Sequence, residues 1–154
     1  MSYPSKIFFI IILTVPIILC IKKFINNQNI NDSILKHKPK LDLLQSNIEK
    51  LFPYLSDTEK YQLSNIKLQP DKKSYTIDKN HVHLCIIDPD TGKYYDNNLL
   101  TYVLLHEIAH IFCDEEGHTE KYIKIFKNLL NIGAKAKIYD PDKALPKMYC
   151  GVPV

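Results

Sequence analysis

The chain has 154 residues, 45% hydrophobic and 24% charged, with 4 Gly, 9 Pro and no Trp, which allows one modest domain with an appendage and excludes a multidomain machine. The net charge of +3 resides around an N-terminal apolar run, at Lys6, Lys22 and Lys23, and from residue 24 onward 17 Lys offset 17 Asp and Glu. A neutral domain with no Arg lacks both the clustered charge that displaces phosphate counterions and the guanidinium fork that reads bases, so no nucleic-acid partner is expected.

Ile7 to Ile21 carries no charge and is bracketed by lysines. Fifteen residues fall short of the roughly 20 that span a bilayer, but snorkelling lysines and the adjoining Phe24 and Ile25 extend the run. No small-residue cleavage site follows it, so residues 1–23 read as a single-pass membrane anchor rather than a signal peptide. Lys36, Lys38 and Lys40 follow the lysine pair, a bias that places the soluble domain on the cytoplasmic side. Residues 24–38 are polar and Asn-rich and read as a tether.

Leu41, Leu44, Ile48, Leu51 and Phe52 recur at helical spacing until Pro53, and Ser56 with Glu59 is a capping-box start for a second, short helix. Ser74 to Asp78 and His81 to Asp88 are β-branched and aromatic, which predicts a small antiparallel sheet. His81 and His83 share one strand face, opposite Val82 and Leu84, and that face reads as exposed more readily than as bordering a cleft. Asn97 or Asn98 can cap a long apolar helix to about Phe112. Gly117 marks a reversal, and a further helix from Thr119 to about Ile132 is expected to bury Ile123, Phe126, Leu129 and Leu130 before Gly133 closes it. Of four scattered cysteines, Cys20 lies in the apolar run. Cys85, Cys113 and Cys150 read as reduced, although a Cys85 to Cys150 bridge is open.

His106-Glu107-Ile108-Ala109-His110 fits H-E-x-x-H in the middle of the most apolar helix. Spacing i, i+4 puts both imidazoles on one face, where their nitrogens can share a cation. Glu107, rotated about 100° from His106, can act on the metal's water without being a ligand. A core has no use for this polar stripe among Leu and Ile, because buried polar groups must be paired. A catalytic zinc needs a third protein ligand and an open position. His118, past the Gly117 reversal, is the leading candidate, with Glu120 second and Glu115 and Glu116 as further rivals.

With Gly117-His118-x-x-x-Tyr122 after it, this motif resembles the SprT/WLM group of small zinc metallopeptidases, whose pattern is H-E-x-x-H, a short variable spacer, then a histidine on the next helix. The similarity covers roughly residues 97–130, and short relatives of this kind with an N-terminal apolar segment are encoded by large DNA viruses. The resemblance implies a zincin-like α+β fold, with His106, His110 and His118 as zinc ligands and Glu107 as general base. It departs from the family in a longer spacer and in Tyr122 standing for the usual Phe. No zinc ribbon or DNA-binding tail is read, so the family's DNA-associated substrates are not carried over.

Residues 39–154 are therefore expected to form a zinc metallopeptidase domain acting on a protein or peptide substrate. Zinc would acidify water toward a pKa of about 7 while Glu107 takes its proton and passes it to the leaving amine. Tyr139 and Tyr149 are candidates for stabilising the oxyanion. The rivals are an inactive or structural zinc module on a membrane, which leaves Glu107 without a task, and a zinc hydrolase of non-peptide amides.

Overall fold

A computed structural model describes the backbone of residues 5–153 and the side chains of residues 15–153. The chain divides into two compact units, residues 1–37 and 38–154. Helix α1, Ser5–Leu51, is the described part of the first unit and opens the second. It runs through residues 24–38, the segment read as a tether from its composition. Of the expected anchor, the side chains of residues 7–14 lie outside the described residues. Among those described, no helix is long and apolar enough to cross a membrane.

In the second unit α1 buries Leu41, Leu44, Ile48 and Leu51, the stripe its spacing predicts. A 3-10 turn over Phe52–Tyr54 ends the helix at Pro53. Helix α2, Asp57–Ser64, starts in the expected capping box: the Ser56 hydroxyl accepts from the Glu59 amide, and the Glu59 carboxylate accepts from the Ser56 amide. Three short strands follow, β1 Lys67–Pro70, β2 Tyr75–Ile77 and β3 His81–Leu84.

The sheet is mixed, not antiparallel. Its order is β1-β3-β2, with β1 parallel to β3 and β2 antiparallel to it. Strand β1 carries no apolar alternation, and only a partner brought in from residues 81–84 reveals it. The face of β3 bearing Val82 and Leu84 is buried. On the opposite face His83 is half-buried rather than exposed: its Nδ1 lies 3.1 Å from Asp71 and its ring stacks on Tyr75 at 4.4 Å.

Helix α3, Asn97–Phe112, is the centre of the core, with Leu100, Leu104, Leu105, Ile108 and Ala109 fully enclosed. The Asn47 amide donates to the Thr101 hydroxyl at 3.0 Å, a buried bond between α1 and α3. The cap of α3 is Asp96, not Asn97 or Asn98; its carboxylate accepts from the Asn98 amide at 2.9 Å. Asn98 is committed elsewhere, its side chain exchanging two hydrogen bonds with the Asp140 backbone.

Helix α4, Glu120–Lys135, begins at its Thr119 cap and packs on α3. Its inward face carries Tyr122, Leu129, Ile132 and Gly133, whereas Ile123 is exposed. Gly133 does not close the helix. A Cβ there would stand 2.9 Å from Leu105 Cδ1 and 3.3 Å from Tyr139 Cβ, so its bare backbone permits the close approach of α3. The chain then ends in a small hairpin of β4, Met148–Tyr149, and β5, Val152–Pro153, tied to the end of β3 by a Cys85–Cys150 disulfide. Two of the three cysteines expected to be reduced are thus paired, and Cys113 is free and buried.

Candidate metal centre

His106 and His110 project from one face of α3, their rings 5.1 Å apart. Gly117, at φ +77°, turns the chain back so that His118 arrives just before α4. The His118 ring lies 4.9 Å from that of His106 and 5.0 Å from that of His110. One nitrogen from each ring falls within 4.8 Å of the others, and the Nε2 atoms of His106 and His118 face each other at 3.1 Å. Tetrahedral zinc, with Zn–N bonds of about 2.0–2.1 Å, sets ligand nitrogens roughly 3.3 Å apart, so small ring rotations suffice to seat an ion. Glu120, the nearest rival by sequence, is not in this group, and Glu115 and Glu116 line only the cleft around it.

The protonation states suit a cation. Burial, with His110 and His118 nearby, lowers His106 from the ordinary 6.5 to about 4. His110 is lowered as well, by burial first and then by His118 and Lys79. Both imidazoles therefore offer lone pairs at neutral pH, as a metal ligand must.

Tyr122 forms the floor. Its ring centre lies 4.4 Å from His110, 4.7 Å from His118 and 5.4 Å from His106, and its hydroxyl donates to the His106 carbonyl at 3.2 Å. Tyr122 follows His118 by four residues across the start of α4.

Glu107 is 4% exposed, and burial pushes its carboxyl up from 4.5 to about 7 although the Thr76 hydroxyl donates to Oε2 at 2.8 Å. Thr76 sits in edge strand β2, which thereby lies along the motif helix. Lys79, at φ +57° in the β2–β3 turn, donates to the carbonyls of His110 and Cys113 and so satisfies the C-terminal end of α3. Sequence reading missed both residues, since nothing local links positions 76 and 79 to residue 107 or 110. An open cleft of about 500 Å3 is bordered by Thr76, Lys79, Glu107 and the three histidines.

Neither tyrosine nominated for the oxyanion borders this cleft. The Tyr149 hydroxyl is buried, donating to the Cys85 carbonyl at 2.6 Å and bonded to Ser74 Oγ at 2.8 Å. Tyr139 packs against Tyr102 with ring centres 6.0 Å apart.

The chain is similar to proteins of large DNA viruses. Uncharacterized protein 136R of Invertebrate iridescent virus 6 is 49% identical over 90 residues, 57% of this chain and 51% of the relative. Uncharacterized protein 042R of Invertebrate iridescent virus 3 is 40% identical over 89 residues, 58% of this chain and 56% of the relative. Uncharacterized protein R325 of Acanthamoeba polyphaga mimivirus is 38% identical over 121 residues, 72% of this chain and 61% of the relative. The chain thus spans between half and three-fifths of the length of these relatives. No family model matches it, and no solved structure does.

Proposed function

We propose that this chain is a zinc-dependent metallopeptidase of the H-E-x-x-H type, held at a membrane by its N-terminal helix. One observation carries the reading: a buried carboxylate, Glu107, is fixed by Thr76 at an open cleft beside three convergent imidazoles. A metal held only for structure gives such a carboxylate no task, and burying it without one is costly.

Zinc, when bound by His106, His110 and His118, supplies a Lewis acid that acidifies water and polarises a carbonyl. Glu107 accepts the proton at its carboxylate, holds it within the cleft and delivers it to the departing amine. Its upward-shifted carboxyl suits both roles, and a nearby cation draws it back toward the ionised form that must act first. Thr76 orients the carboxylate; Tyr122 and Lys79 hold the ligand helix.

The test uses the whole 154-residue chain. About one zinc per chain and hydrolysis of a mixed peptide library are expected. Glu107→Gln should keep the metal and lose about 10²–10⁴-fold in rate. A folded wild-type chain that takes up no zinc, or a Glu107→Gln variant of undiminished activity, overturns the proposal.

A further inference from the structure

Beside Glu107, adjoining the cleft at the three histidines, lies a second cavity, of about 240 Å3. Tyr102 and Val103, one helical turn before His106 and Glu107, line one side of it. The C-terminal hairpin forms the other side with Tyr149, Val152 and Pro153. The space is below the roughly 300–1,000 Å3 of a drug-sized ligand site and suits a single amino-acid side chain. These walls are largely carbon, and Lys73 at the rim repels a basic occupant.

The hairpin cannot hold this position by its own strands, which are two residues each. Three pins hold it. The Cys85–Cys150 disulfide joins it to the end of β3, Tyr149 donates to the Cys85 carbonyl, and the Cys150 amide donates to the Tyr95 hydroxyl at 3.0 Å. Its turn places Cys150 at φ +48°, in the left-handed region that is uncommon for a non-glycine residue.

We infer that this cavity receives one uncharged, apolar side chain of the substrate beside the bond cut at Glu107, and that the Cys85–Cys150 link keeps the hairpin in place as its wall. The inference rests on the peptidase reading. Cavity and metal cleft share His106, Glu107 and Ser74, so one extended peptide can engage both.

The experiment titrates the zinc-loaded full-length chain with two peptide hydroxamates that differ only in Gly or Leu at the residue next to the zinc-binding group. Burying a Leu side chain should make the second bind at least about tenfold tighter. That ratio should fall to about two or less in Val152→Asp and in Cys150→Ser, with zinc content measured in parallel. Equal affinity of the two probes for the wild type overturns the inference while leaving the peptidase reading intact. A ratio unchanged in Val152→Asp removes the hairpin as the wall, and one unchanged in zinc-holding Cys150→Ser removes the disulfide's part. If neither probe binds, the inference falls together with the reading beneath it.

Discussion

Glu107 and His106 are neighbours in sequence whose burial has opposite consequences for stability in the metal-stripped protein. Glu107 is raised from 4.5 to about 7, so between those values the folded chain keeps a proton the unfolded chain has lost, and stability falls as pH rises. His106 is lowered from 6.5 to about 4, so there the unfolded chain binds the extra proton and stability falls as pH drops. Removing one carboxylate separates the two. Stripped Glu107→Gln should be about 1–3 kcal/mol more stable than stripped wild type at pH 8, and nearly equal to it at pH 4.5, in urea unfolding. A difference that does not depend on pH would show that Glu107 is not desolvated. Tyr122 is tested by two changes: Tyr122→Ala should weaken zinc binding by about 10–100-fold in competition with a chelating dye, whereas Tyr122→Phe, which keeps the ring, should stay within a few-fold. The pairing of His106 with His110 is legible without coordinates, because it follows from helical periodicity alone. The preference for His118 over Glu120 was likewise readable from the Gly117 reversal, whereas the partnership of Thr76 with Glu107 depends on a strand 31 residues away.

At the scale of elements, caps and close approaches decide where helix α3 sits. Asp96 both caps α3 and pairs with Lys143 at 2.8 Å, and the Lys143 hydrogen bond holds its carboxyl below the ordinary range. Asp96→Ala should cost about 1 kcal/mol in denaturant unfolding. The deficit should be full at neutral pH and shrink as acid protonates the wild-type carboxylate, because a lowered pKa confers stability only while the group is ionised. Asp96, Asn97 and Asn98 are all competent caps, so sequence alone placed the helix start one or two residues late. Gly133 misled in a related way: read locally a glycine near a helix end is a stop, yet here it is the contact point of two helices. Gly133→Val should therefore destabilise by about 1–3 kcal/mol through overpacking against Leu105, measured by thermal or urea unfolding. The helices of the second unit were readable from their apolar spacing. The mixed sheet was not, since strands of three or four residues take their direction from partners rather than from pattern.

For the whole molecule the question is where the chain resides, and two features bear on it. Ile7 to Ile21, helical at about 1.5 Å per residue, covers about 22 Å, and continuing to Ile25 brings it close to the roughly 30 Å of a bilayer core. Val15, Ile17, Ile18, Leu19, Ile21, Phe24 and Ile25 are all exposed, an apolar surface that water alone does not favour. Attachment should therefore depend on the N-terminus: the full-length chain should resist high salt and alkaline carbonate and dissolve in detergent, and recovery in the salt wash would remove the anchor. On the side of the membrane at which an anchored chain would hold its domain, two arguments oppose each other. The excess of lysines after the apolar run favours a cytoplasmic domain, but a Cys85–Cys150 disulfide persists best in an oxidising compartment. The disulfide closes a loop of 65 residues and is worth about 4 kcal/mol to the fold in a chain-entropy estimate, a contribution present only while the bond is formed. Alkylating free thiols at lysis, before any oxidation, should leave Cys85 and Cys150 unlabelled and their two peptides disulfide-linked, with Cys20 labelled once detergent frees it and Cys113 after unfolding. Full labelling of all four would return the domain to the reducing side and leave the C-terminal hairpin to Tyr149 and Tyr95 alone.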